Sequence, residues 1–323
     1  MTVDSSDGSP AAPAPQASTA PTQTSFGTCF GFEVHSELPF LYLRDGGEGS
    51  PLEINEAEAD DYPDGEPIVE WDWRPRQDYL ARLFVGGEGC AFWTSREGTF
   101  SIQLEVPAIT VPPSLEPVRR EMRLWGIPTV LCFAERGDSS LHAASVDVDG
   151  SAILLVAPGR FGKTTLASGF LNAGYRLLSE DVSCFRPLPD PVALPGPMLL
   201  RVRRDIYEQI ELPGTFPVLE EPDRVHLTAE GKMRGNGNPV PIRAVVFLRV
   251  GDGDTRMSRV DPAEGLRDLW ALSWKLPTDA DRARCFRGTA ALANSVPMWN
   301  IQRELRIDRL QETVERIVTT CLA

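Results

Sequence analysis

The chain has 323 residues, 42% of them hydrophobic, enough for one large domain or two ordinary ones with substantial cores. Its 46 Asp and Glu outweigh its 32 Lys and Arg, leaving a formal net charge of −14. That charge argues against nucleic acid as a partner, and no apolar run reaches the length of a membrane span.

Residues 1–25 contain no Lys or Arg and are rich in Ala, Pro, Ser and Thr. They read as a disordered tail and not as a secretory signal. Cys29, Cys90, Cys132, Cys184, Cys285 and Cys321 are scattered, without a Cys-x-x-Cys pair, and the chain has only three His. The expectation is a cytoplasmic protein with reduced, buried thiols, and neither a zinc site nor a disulfide framework.

Residues 26–137 read as an α+β module, mostly β up to 106. Strands are expected at 30–34 and 40–43, the second opened by Pro39. The acidic stretch 48–64 reads as a loop, and 90–93 with 99–106 as a hairpin turning at 95–98. Pro112-Pro113 breaks the sheet. Ser114 is the expected N-cap of a helix reaching Trp125, and Pro128 restarts a second helix ending at Glu135.

A second unit, 138–323, carries the chemistry. The apolar run 151–156 leads into Ala157-Pro158-Gly159-Arg160-Phe161-Gly162-Lys163-Thr164 and then Thr165-Leu166-Ala167. Strand, tight loop ending Gly-Lys-Thr, and helix is the layout of a nucleotide phosphate-binding loop. Successive backbone N–H groups curl around phosphates, and the helix N-terminus adds partial positive charge. Lys163 can reach the terminal phosphates and the Thr164 hydroxyl can ligate Mg²⁺. Lys163 is one of only three lysines, in a chain that otherwise writes its cations as Arg. Lysine suits phosphate as a compact point charge. Ala157 stands where the standard pattern begins with Gly, and Ala takes up positive φ less readily.

Asp149-Gly150 is a hairpin-turn signal between the alternating run 141–148 and the strand 151–156. An unbulged two-residue turn pairs Val148 with Ser151 and therefore sets His142 opposite Ala157, beside the loop. His142 reads either as a site residue or as a core histidine sharing a face with Ala144 and Val146. The helix after the loop is expected to stop at Gly174. A strand, 175–179, then ends in Glu180-Asp181. Two carboxylates there can divide the work, one holding Mg²⁺ and one accepting a proton from a hydroxyl; a solvated acidic turn is the plainer alternative. The division read here gives Mg²⁺ to Thr164 and Asp181 and the proton to Glu180. Arg201, Arg203 and Arg204 read as anchors for phosphate or an acidic substrate or, preferably, as residues that face solvent or pair with carboxylates. Residues 231–238, with Lys232, read as a loop, 244–250 as a strand, and 303–318 as an amphipathic helix with Leu310, Val314 and Ile317 on one face.

The stretch 140–182 resembles the HPr serine kinase/phosphorylase family and its wider set of HPr-kinase-like proteins. The matching residues are Leu141-His142-Ala143, Asp149-Gly150, Gly162-Lys163-Thr164 and Tyr175-Arg176-Leu177-Leu178-Ser179-Glu180-Asp181. Ala157, Arg160-Phe161 and Glu180 depart from the family pattern. The resemblance implies an α/β fold, with an HPr-kinase/PEP-carboxykinase-like P-loop core behind a mainly β N-terminal module. It implies a kinase using ATP and Mg²⁺ on a serine hydroxyl, with His142 assisting at the phosphate site, Lys163 and Thr164 holding nucleotide and metal, and Glu180 or Asp181 as base. It also implies a homo-oligomer. The N-terminal module is similar to that of HPr-kinase-like proteins of peptide natural-product pathways, which makes a peptide or protein serine the expected acceptor. A nucleotide-sensing regulatory protein and a kinase for a small-molecule hydroxyl stay open beside it, as does GTP in place of ATP.

Overall fold

The structure, a computed structural model, describes residues 25–58, 63–74, 79–87 and 89–322. The expected tail falls outside these residues except for Ser25, which opens a strand. The described residues form a mixed α/β fold with three sheets.

The first sheet has eight strands, in the order Ser25–Cys29, Phe32–Ser36, Ser50–Glu56, Ala108–Val111, Gly98–Gln103, Gly89–Thr94, Leu80–Gly86, Val69–Asp72. Its residues alternate between core and solvent, as in Gly89–Thr94, so one face packs inward. Helices Pro117–Leu124 and Ile127–Glu135 close that face, where Phe30, Phe32, Phe92, Phe100 and Phe133 share one core.

Four expectations for this half are corrected. The strand read at 30–34 is broken by a turn at Phe30 and Gly31, with φ 51° and 70°, which joins strands Ser25–Cys29 and Phe32–Ser36. Residues 40–43 form no strand: the N–H groups of Leu41 and Tyr42 donate to the buried Glu121 carboxylate, at 2.8 and 2.9 Å, in place of a neighbouring strand. Residues 48–64 are not all loop, because Leu52 and Ile54 alternate inward within Ser50–Glu56 despite the acidic company. Ser114 does not cap the helix; Glu116 holds the N-cap position without a side-chain bond, and Pro117 opens the first turn.

The second sheet has nine strands and both faces covered. Ser151–Val156 lies antiparallel to Ala143–Val148 and parallel to Val240–Val250, which is in turn parallel to Met298–Arg303. Alternate residues serve opposite layers. Ala144, Ile153 and Leu155 meet helices Lys163–Asn172 and Leu310–Leu322 on one side. Leu154, Val156 and Val245 meet helices Pro262–Leu272 and Asp279–Ser295 on the other. Burial on both faces explains the unbroken apolar run of 151–156. The third sheet is a small antiparallel one of Leu200–Arg203, Arg224–Ala229 and Thr215–Glu220.

The predicted helix 303–318 is also corrected: Arg303 ends a strand and the helix is Leu310–Leu322, with Val314 and Ile317 buried. Residues Gly231–Arg234 form a four-residue helix on which Lys232 is exposed. Five of the six cysteines are buried, Cys321 is partly so, and all are free thiols. No described helix is long and apolar enough to cross a membrane.

Candidate functional site

Three strands of the second sheet run parallel and release their C-terminal ends at one edge, where ligands of open α/β sheets bind. The loop 157–164 stands there. Pro158, Gly159 and Arg160 are exposed at its tip, Phe161 and Gly162 are half-buried, and Ala157 is fully buried. The left-handed turns fall on Arg160, φ 70°, and Gly162, φ 77°. Ala157 is not left-handed, so Ala at the first position is unstrained. Arg160 carries a strain of roughly 1–2 kcal/mol instead.

Gly162 is the N-cap of helix Lys163–Asn172. Its carbonyl accepts from Leu166, so the amides of Lys163, Thr164 and Thr165 have no partner within the helix. They form the donor surface that an anion would meet.

Lys163 is buried, at 7% exposed. Its ammonium donates to the carbonyls of Ala157 at 2.8 Å and Pro158 at 3.2 Å, and lies 2.9 Å from His142 Nε2. Burial pushes its pKa below the ordinary lysine value, against the pull of Asp181 and Glu180. An ammonium has only donors, so Nε2 accepts and the proton of the neutral ring sits on Nδ1. That N–H faces Asp181 Oδ1 at 3.2 Å. His142 interrupts the chain between Ser139–Leu141 and Ala143–Val148, and its side chain is 40% exposed. The core-histidine alternative is set aside on that exposure.

Strand Arg176–Ser179 stops one residue before the acidic pair, which frees Glu180 and Asp181 from the strand's alternation. A buried hydroxyl chain anchors this end: Ser145 to Ser179 at 2.6 Å, Ser179 to Ser183 at 2.9 Å. The Thr164 hydroxyl donates to Glu180 Oε1 at 2.6 Å. The third sheet contributes Arg201, whose Nε donates to Glu180 Oε2 at 3.0 Å and whose Nη2 donates to Asp181 Oδ2 at 2.9 Å. Glu180 above all, with Asp181, holds the Arg201 guanidinium firmly protonated against its burial. Burial pushes the Asp181 pKa up, but Arg201, His142 and Lys163 together hold it well below the usual carboxylate range.

The contacts therefore close a ring: Lys163, His142, Asp181, Arg201, Glu180, Thr164, and the loop again. Its two carboxylates balance its two cations. Thr164 meets Glu180, while Asp181 meets His142 and Arg201, so a cation on the Thr164 hydroxyl would take Glu180 as its nearest carboxylate. Among the described residues no group of three or more His, Cys, Asp or Glu could hold a metal. A hydroxyl with one carboxylate fits Mg²⁺, which keeps waters and takes its remaining oxygens from phosphates.

Of the three arginines expected to face solvent or pair with carboxylates, Arg203 pairs with Asp205 and Arg204 with Glu220. That Arg201 joins both site acids needed the long-range pairing of Leu200–Arg203 with Arg224–Ala229. Arg303, whose Nη2 donates to Phe161 O at 3.2 Å, was hidden by the helix expected there.

No protein-family profile matches the chain, and no curated protein is similar to it. Among solved structures, the chain is similar to the HPr(Ser) kinase/phosphatase from Coxiella burnetii, at 8% identity and a TM-score of 0.29, over 57% of this chain and 99% of that one. A likeness at that level assigns no residue of the ring.

Proposed function

We propose that the chain is an ATP- and Mg²⁺-dependent kinase acting on a hydroxyl, most simply a serine of a peptide or protein. The observation that carries this reading is the closed ring of Lys163, His142, Asp181, Arg201, Glu180 and Thr164 at the mouth of a Gly-Lys-Thr loop. The ring is neutral, so a triphosphate arriving alone would bring several uncompensated negative charges beside two carboxylates. A divalent cation removes that repulsion. Bound Mg²⁺ and ATP supply the phosphoryl group and the charge that stabilises its transfer.

In this reading Lys163 exchanges the Ala157 and Pro158 carbonyls for phosphate oxygens. The amides of residues 159–165 face the phosphates, including those of Gly159, Arg160, Phe161 and Gly162. Thr164 and Glu180 hold the metal. Asp181, 46% exposed, faces the acceptor and takes the hydroxyl proton, with His142 fixing the carboxylate's orientation. A second reading, a nucleotide sensor with little catalysis, draws on Arg201: by holding the Asp181 pKa low, it makes this carboxylate a weak base.

The test is transfer of label from γ-labelled ATP with Mg²⁺ to serine peptides, followed by mass spectrometry. Lys163→Ala is expected to lose nucleotide binding and transfer together. Asp181→Asn should keep binding and slow transfer by ~10²-fold or more. Tight binding without transfer to any hydroxyl, peptide or small-molecule, selects the sensor instead.

A further inference from the structure

We infer that Arg303 is the positioning residue of the phosphate-binding loop, fixing from behind the peptide units whose N–H groups meet the nucleotide. The inference rests on the nucleotide reading of loop 157–164.

Arg303 ends the strand Met298–Arg303 at the same sheet edge as the loop. The chain then crosses the loop at Gly162. A Cβ added there would lie 3.0 Å from Arg303 Nη2 and 3.2 Å from Leu305 Cδ2. The guanidinium donates to Phe161 O at 3.2 Å, with Gly162 O at 3.5 Å. In a trans peptide the N–H points opposite to the C=O. Holding these two carbonyls therefore turns the N–H groups of Gly162 and Lys163 to the opposite side of the loop.

Two further observations separate Arg303 from an ordinary structural arginine. The residue is 6% exposed, yet among the described residues no carboxylate forms an ion pair with it, and its buried Nε has no partner. By contrast the buried Arg120 pairs with Glu56, and every nitrogen of the buried Arg44 finds a carbonyl. Burial alone pushes the Arg303 pKa down to about 10, with no charge opposing it, so the group is still a cation at neutral pH. A buried cation without an anion is destabilising. Its compensation is an anion on the far side of the two peptide units, whose dipoles it reinforces.

The assignment separates stability from affinity. Arg303→Met removes the uncompensated charge while keeping an unbranched apolar stem, so the melting temperature without ligand should hold or rise. MgATP, ADP and pyrophosphate should each bind ~10-fold or more weakly, the loss typical of a charge-assisted hydrogen bond. Adenosine affinity should not change, and Arg303→Lys should recover part of the pyrophosphate binding. Titration calorimetry on the full chain reads all four ligands. A lower melting temperature with unchanged pyrophosphate affinity would make Arg303 a packing residue and overturn the inference. Wild-type chain that binds none of the phosphates would overturn the nucleotide reading itself. Wild-type binding that is lost in Lys163→Ala but intact in Arg303→Met would remove only the role of Arg303.

Discussion

Lys163 is held by opposing forces, and its titration reports on them. Burial lowers its pKa from the ordinary lysine value, and Asp181 and Glu180 only partly restore it. Phosphates beside the ammonium would favour its charged form and raise the pKa. Binding is therefore strongest while Lys163 is protonated in the free protein, and weakens as pH climbs through its lowered pKa. We expect the logarithm of the MgATP dissociation constant to rise with pH in the alkaline range, approaching a slope of about one per pH unit. The same titration on Lys163→Met should be weak and flat; an equally steep profile there would assign the dependence to another group. Lys163 and His142 were legible in the sequence for a local reason. The turn at Asp149-Gly150 sets a register without a bulge, from Val148 against Ser151 to Ala143 against Val156, and His142 follows at the next position. That Arg201 joins both acids and that Arg303 reaches the loop were not legible, because each arrives on a strand whose place depends on partners far away in the chain.

At the scale of elements, the loop helix buries Leu166, Ala167, Phe170 and Leu171 in the core and makes one close approach to its neighbouring helix. Gly169 faces Leu310, and a Cβ at Gly169 would lie 2.7 Å from Leu310 Cγ and 3.0 Å from both of its methyl carbons. Alanine there gains up to ~1 kcal/mol of helix propensity but forces the branched end of Leu310 or the whole helix to move, at about 1–3 kcal/mol. The clash should win. Gly169→Ala is expected to lower stability in urea unfolding, and Leu310→Ala in the same chain should recover part of the loss, a coupling that a double-mutant cycle reads directly. Independent, additive effects would mean that the two helices do not bear on each other at this point. Elements were legible where pattern and partner are adjacent in sequence: the strand 151–156, the loop, the helix, and its stop, where Gly174 adopts φ 89°. They were misread where a distant group decides. Residues 40–43 have apolar content suited to a strand, but Glu121 claims their amides. Met298–Arg303 is a strand because Val240–Val250 and Arg256–Arg259 flank it.

In the whole molecule, the sheets divide near residue 137 in sequence but share their packing. The core under the first sheet also takes Cys184, Leu194 and Leu199 from the second half. Phe30 N donates to Pro195 O at 2.7 Å, and Met198 N to Tyr42 O at 2.8 Å. A Cβ on Gly196 would meet the Phe30 ring at 2.4 Å, so only glycine allows the approach. The strongest tie is Arg44, 1% exposed. It donates to Gly196 O at 2.7 Å, to Leu177 O and Leu178 O at 2.8 Å, and to Arg234 O. Burial lowers its pKa to about 10, which leaves it charged at pH 7. Leu177 and Leu178 belong to the strand that ends at Glu180-Asp181, so the N-terminal half holds the backbone that presents the site acids. Two consequences are measurable by calorimetry. The described halves should melt in one cooperative transition, with calorimetric and van't Hoff enthalpies in agreement. Arg44→Met strips several buried carbonyls of their donor at about 1–3 kcal/mol each, so the transition should move down by at least ~3 kcal/mol while remaining single. Two resolved transitions in the wild-type chain, or an Arg44→Met protein as stable as wild type, would show that the N-terminal half merely adjoins the ring of Lys163, His142, Asp181, Arg201, Glu180 and Thr164 and does not support it.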